Sequence, residues 1–144
     1  MTTVAPYGSW ESPITAASLV ATGHPVGGGT FVSDDVWWLE SRPAEGGRLA
    51  VRRHDGDGKP VDVIPAPWNA RTRVHEYGGG AWAATDDGVL VFAEFSDQRL
   101  YRLDPGTTVP TPLTPADMGM RFAGLSIEGD EVIAIRETHR GSDL

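Results

Sequence analysis

The sequence contains no cysteine. That removes disulfides, zinc–thiolate sites and cysteine nucleophiles together. It is also poor in positive charge, with 12 Lys and Arg against 20 Asp and Glu and a formal net charge of −8. A surface built to neutralise nucleic-acid phosphates is not expected from that balance, and an anionic membrane would repel the chain for the same reason. No apolar run approaches the ~18 residues of a spanning helix. The opening MTTVAPYGSW has no basic stretch followed by an apolar one, so no secretory leader is expected. What is abundant is Gly and Pro, 18 and 11 of 144 residues. Each costs a helix interior ~1 and ~3 kcal/mol respectively, which argues against a helical bundle. Hydrophobic residues make up 40%, enough for a core. Together these features predict a turn-rich, acidic, cytoplasmic all-β protein of one domain.

The best helical stretch is ESPITAASLVATG, residues 11–23. Ser12 is the expected N-cap, Pro13 the first helical residue and Gly23 the stop. Ile14, Ala17, Leu19 and Val20 give it a short apolar face. Residues 1–23 are therefore expected to form an N-terminal segment with a short helix.

Beyond it the chain repeats itself. GGGTFVSDDVWWLE (27–40) parallels GGGAWAATDDGVLVFAE (78–94). Each unit has three glycines, an aromatic two places on, an Asp-Asp turn, an apolar strand and a closing glutamate. RLAVRR (48–53) then matches RLYRLD (99–104), and each is followed by a polar turn and a Pro-containing segment. A third copy begins at RFAGLSIEGDEVIAIRE (121–137), closing on Glu137. The anchors Phe31, Trp82 and Phe122 are spaced at 51 and 40 residues. Units of this length with four short strands point to β-propeller blades. The expected blades span about 24–68, 75–115 and 121–144, so residues 24–144 form an incomplete β-propeller of about two and a half blades. The near-continuous apolar runs 36–39, 89–92 and 132–135 suggest strands covered on both faces. Glycines fall before the innermost strand and prolines in the outermost, where a missing donor is tolerated. The end blades would lack neighbours, leaving Trp37, Trp38, Trp82 and Phe92 partly in water.

Chemical motifs are sparse. Gly124-Leu125-Ser126-Ile127-Glu128 approaches the G-x-S-x-G elbow but lacks its second glycine and enters a strand. His75-Glu76 begins like H-E-x-x-H, yet Gly79 stands where the second histidine belongs, and His24, His54, His75 and His139 have no metal spacing. Asp55-Gly56-Asp57-Gly58 opens like a calcium loop, but Lys59 and Pro60 spoil it, so a hairpin turn is expected. No metal, no cofactor and no catalytic residue is predicted. Trp10 and Trp68 are read as packing residues in preference to stacking platforms.

The most specific segment is RTRVHEYGGGAW, residues 71–82. Its polar half feeds an inner strand and so lies near the channel mouth. Arg71, Arg73, His75, Glu76 and Tyr77 there are candidates either for a hydrogen-bonded latch between blades or for direct contact with a ligand or neighbouring domain.

That segment, together with APYGSWESPITA near the N-terminus, resembles the start of prolyl oligopeptidase-family serine peptidases, in the bacterial aminopeptidase and acylaminoacyl-peptidase-like branch. The stretch RFAGLSIEGDEVIAIRETH is similar in style to the following blade. The resemblance implies a seven- or eight-bladed propeller that admits only short peptides or small amides to an α/β-hydrolase domain carrying Ser, Asp and His. No member of that triad falls on a residue of this sequence. The implied function is gating and packing within a serine aminopeptidase-like hydrolase. The implied partners are the remainder of the same protein and a peptide substrate. The alternative is a non-enzymatic interaction module that completes its propeller with copies of itself.

Overall fold

The computed structural model describes residues 4–76, 78–116 and 119–139. Among the described residues, ten strands, one short helix and one 3-10 turn follow in order. The helix, α1, covers Ala16–Thr22 and starts three residues later than the Ser12 cap predicts. Thr15 and Ser18 explain the shift. The Thr15 hydroxyl accepts from the Ser18 backbone N–H at 3.0 Å, and the Ser18 hydroxyl accepts from the Thr15 N–H at 2.9 Å. This reciprocal capping box satisfies two donors, whereas Ser12 only accepts from Ile14 N–H in a local turn. The apolar side chains Ile14 and Leu19 are exposed; that of Val20 lies outside the described residues.

Two four-stranded antiparallel sheets carry the repeat. The first has order β1–β2–β3–β4, from strands Val26–Val32, Asp35–Arg42, Arg48–His54 and Pro60–Asp62. The second repeats that order with β5 (Trp82–Ala84), β6 (Leu90–Ala93), β7 (Leu100–Leu103) and β8 (Thr111–Pro112). A hairpin of β9 (Met120–Glu128) and β10 (Glu131–Thr138) begins a third unit. Its inner strand docks on the second sheet, where Leu125 N–H donates to Gly80 C=O at 3.0 Å. The architecture is a partial β-propeller, two blades and the inner half of another. Pro60 and Pro112 lie in outermost strands, where no further strand asks for their missing N–H.

The hairpin turns follow their residues. Ser33 adopts φ +52° between β1 and β2, and Gly88 adopts φ +86° between β5 and β6. At the calcium-like loop, the Asp55 carboxylate accepts from Asp57 N–H at 2.9 Å and Lys59 N–H at 2.7 Å. That carboxylate is committed to closing a turn.

The core lies between the first two sheets. Trp37, Val51 and Ile64 from one side meet Trp82, Leu90, Phe92, Tyr101 and Leu103 from the other. Trp68 packs edge-on to Phe92 with centroids 5.9 Å apart and lies 4.9 Å from Tyr101. The expectation that Trp37, Trp82 and Phe92 stand partly in water is overturned, because the two complete blades bury one another's facing surfaces. Trp38, on the opposite face of β2, is half-buried. Full coverage of both faces holds at β6 alone among the three apolar runs, since the middle blade is the one with a neighbour on each side. Open faces lie instead at the two ends: Val26, Phe31 and Val36 on the first blade, Ile133 and Ile135 on the third. Trp10 is also exposed, contrary to its reading as a packing residue. Among the described residues no helix is long and apolar enough to cross a membrane.

Candidate functional site

Residues 71–76 lead from the first blade toward β5 with an alternating burial pattern. Thr72 and Val74 point into the protein, while Arg71, Arg73, His75 and Glu76 are exposed. The segment is tied to the second blade at its start. Ala70 N–H donates to Leu49 C=O at 2.9 Å and Arg71 N–H to Ala93 C=O at 3.0 Å, so 70–71 bridge the blades. Gln98, buried and at φ +59°, holds the next step. Its Oε1 accepts from Arg73 N–H at 2.8 Å, and its Nε2 donates to Phe95 C=O at 2.8 Å. The Arg71 and Arg73 guanidinium carbons then lie 4.8 and 4.6 Å from the centroid of the Phe95 ring. An aromatic face with its negative quadrupole holds such cations by ~0.5–1 kcal/mol each at exposed sites.

His75 and Glu76 occupy the left-handed region at φ +54° and +62°. For residues with a Cβ this costs roughly 1–2 kcal/mol each. The third blade supplies the compensating contact. Glu137 Oε1 accepts from His75 N–H at 2.9 Å and lies 3.0 Å from His75 Nδ1. Glu137 Oε2 lies 3.2 Å from His139 Nε2. The His75 backbone bond holds the Glu137 carboxyl below its ordinary range; partial burial opposes this and His139 reinforces it. Arg121 adds a long contact, its Nη1 donating to Arg73 C=O at 3.4 Å. Tyr77 lies outside the described residues. Of the five candidates, the structure thus brings Arg71 and Arg73 together on one ring, sends His75 to Glu137, and leaves the Glu76 side chain exposed.

Gly78–Gly80 complete the turn into β5, and two of them admit no side chain. A Cβ on Gly78 would meet Thr72 C=O at 2.9 Å, and one on Gly80 would meet Gly124 Cα at 2.7 Å. This close approach seats β9 beside β5. The inner strands and this turn line a groove of about 540 Å³, with walls from Gly27, Arg71, Gly78–Gly80, Trp82, Leu125 and Ser126 among others. That size lies within the ~300–1,000 Å³ usual for small-ligand sites. Ser126 lies within β9 opposite Ile133, in a continuous strand. No strand-to-helix elbow presents its hydroxyl. Among the described residues no group of three or more His, Cys, Asp and Glu is disposed to hold a metal ion.

Sequence reasoning missed Phe95, Gln98 and His139. Phe95 and Gln98 meet Arg71 and Arg73 across more than 20 residues, and the nearby Glu137 becomes a partner of His139 only through the conformation of this short stretch. Glu137 was visible as the closing glutamate of the third repeat, aligned with Glu40 and Glu94. Glu94 plays a related part, its Oε2 accepting from Asn69 N–H at 2.8 Å and its Oε1 from Ser96 N–H at 3.2 Å. Burial raises the Glu94 pKa, and those two backbone bonds only partly offset the effect.

No protein-family model and no curated protein matches the chain. Solved structures do. A puromycin-hydrolysing peptidase of Mycobacterium tuberculosis matches with a TM-score of 0.87 and 41% identity, over 99% of this chain and 23% of that one. A puromycin hydrolase matches with a TM-score of 0.80 and 42% identity, over 91% of this chain and 22% of that one. A mutant puromycin hydrolase complexed with PGG gives 0.79 and 43%, over 89% and 21%. This chain therefore spans less than a quarter of the length of the peptidases it is similar to. Blade repeat, fold and identity agree: the chain belongs to the prolyl oligopeptidase family of peptidases, as part of the N-terminal propeller.

Proposed function

We propose that this chain is the propeller portion of a serine aminopeptidase-like hydrolase acting on short peptides or aminoacyl amides. Its share is gating the substrate entrance and packing against an α/β-hydrolase domain, and the bond-breaking residues belong to that domain. One observation carries this reading: 99% of the chain superposes at 41% identity on 23% of a puromycin-hydrolysing peptidase. The groove along the inner strands supports the gating role, because Arg71 and Thr72 line it and Gly78–Gly80, to which the candidate segment leads, form part of its wall. The open faces at Phe31 and at Ile133 and Ile135 support packing against the remainder of the same protein. Copies of this chain are the competing partner for those faces. Cytoplasmic location is part of the same proposal, and cell fractionation that recovered the protein elsewhere would remove it.

The test is enzymatic. The full-length protein is expected to hydrolyse aminoacyl-nitroanilides and puromycin, itself an aminoacyl amide, and to react covalently with a fluorophosphonate probe. Inertness toward all three would overturn the proposal. The 144-residue chain alone is expected to hydrolyse none of these substrates. Turnover by it that vanished on Ser126→Ala would move the chemistry into this chain.

A further inference from the structure

We propose that Arg71 and Arg73 form a carboxylate-binding station at the mouth of the inner groove, receiving the free C-terminal carboxylate of a short peptide. The inference rests on the peptidase reading above and names how one end of its substrate is recognised.

Charge pairing provides the first argument. The chain is strongly acidic, and five of its other eight described arginines pair with a carboxylate, while Arg99 donates to Thr114 C=O. Arg42, Arg48, Arg52, Arg53 and Arg102 each lie within salt-bridge distance of an Asp or Glu. Among the described residues, neither Arg71 nor Arg73 has a carboxylate partner, and both side chains are exposed. Glu137 is occupied by His75 and His139. Arg121, whose Nη1 reaches the Arg73 carbonyl, adds a third positive charge and no negative one.

Geometry provides the second. Both guanidinium groups lie within 5 Å of the Phe95 centroid. Contact with the ring uses no N–H donor in a hydrogen bond, and among the described residues neither guanidinium donates one, so both forks keep donors for a carboxylate. The backbone beneath is fixed by Ala93 C=O and Gln98 Oε1. Little side-chain freedom then remains to be lost on binding. Arg71 itself lines the groove, whose wall over Gly78–Gly80 exposes main chain to an extended peptide. A peptide seated there with its carboxylate at the arginines would direct its N-terminal part along the inner strands.

The test compares a tripeptide with its C-terminal amide as substrates of the full-length protein. The wild type is expected to favour the free acid by about tenfold in kcat/KM, the order expected of a charge-assisted hydrogen bond. In Arg71→Gln/Arg73→Gln that preference should collapse through the acid's KM with kcat little changed, while any loss from the broken contacts with Phe95 falls on acid and amide alike. Arg71→Lys should restore part of it. An acid-to-amide ratio unaltered by the double substitution would overturn the proposal. So would an equal loss for both substrates with lowered melting, which marks a purely structural pair. A full-length protein that cleaves no peptide defeats the peptidase reading, and the station is then read by calorimetry with trialanine and trialanine amide. Selective binding of the acid that is lost in the double variant sustains the station. Equal or absent binding removes it.

Discussion

Gly80 sits where two backbones nearly touch, at φ +56° with Gly124 2.7 Å from any added Cβ. The left-handed conformation alone makes an alanine there cost roughly 1–2 kcal/mol, and the contact with Gly124 adds to it. Gly47 has a similar backbone, φ +78°, with nothing within 4 Å. Gly80→Ala is therefore expected to lower stability clearly more than Gly47→Ala in denaturant unfolding. Equal losses would show that β9 does not depend on this approach. At His75 the prediction is kinetic. Because its N–H and ring both meet Glu137, His75→Ala or Glu137→Ala should loosen the segment between the groove-lining Thr72 and Gly78, raising KM in the full-length protein with kcat little changed. A thousandfold fall in kcat at unchanged melting would give these residues a direct role in bond breaking. The triple glycine and His75 were legible in the sequence as one segment, since glycine is the residue a crowded turn selects. Glu137 as the partner of His75 was not, because 62 positions separate them and only folding brings β10 to the turn.

At the scale of elements, the first blade is tied by an ionic network across β2, β3 and β4. Arg48 is buried and donates to Asp62 at 2.9 Å and to Glu45. Arg52 donates to both Glu40 oxygens at 3.1 and 3.0 Å, and its Nε lies 2.9 Å from Asp62 in ionic contact without hydrogen-bond alignment. Burial pushes the Glu40 and Asp62 pKa values up, but Arg52 and Trp38 at Glu40, and Arg48 and Arg42 at Asp62, outweigh it and hold both carboxyls below 4.5 and 3.8. The native state then binds fewer protons than the unfolded one in the acid range. The stabilisation is complete above about pH 4.5 and is lost as pH falls through the lowered values. Asp62→Asn should lower stability at pH 7 by about 1–2 kcal/mol given the partial exposure of Asp62, seen as a lower melting temperature, and the gap should narrow toward pH 3. A gap independent of pH would exclude this electrostatic account. None of these pairings could be read from sequence, although strand order and the outer position of the prolines could. The network depends on cross-strand register, Arg42 opposite Arg48 and Arg52 opposite Asp62, and a single-residue slip would move every member to the other face. The helix start was missed for a smaller reason, since Ser12 and Thr15 are both competent caps and only Thr15 has a serine three residues on to reciprocate.

Across the whole molecule, stability follows blade-to-blade burial. Phe92, enclosed in the middle blade, should cost about 3–5 kcal/mol when truncated to alanine. Ile133→Ser and Ile135→Ser, on a face with no neighbour among the described residues, should cost the isolated chain little while reducing its self-association. The repeat made the number of blades legible. Which aromatics would face water was not, because that depends on which blade has two neighbours, and Trp37 and Trp82 went to the shared core while Phe31 stayed 76% exposed. The central claim is that this is a section of a propeller whose end faces are built to be covered. Size-exclusion chromatography with light scattering on the isolated 144-residue chain, across a concentration series, tests it most directly. The account predicts association that grows with concentration and weakens in the Ile133→Ser/Ile135→Ser variant. A compact monomer at all concentrations, with a sharp and reversible thermal transition, would contradict it.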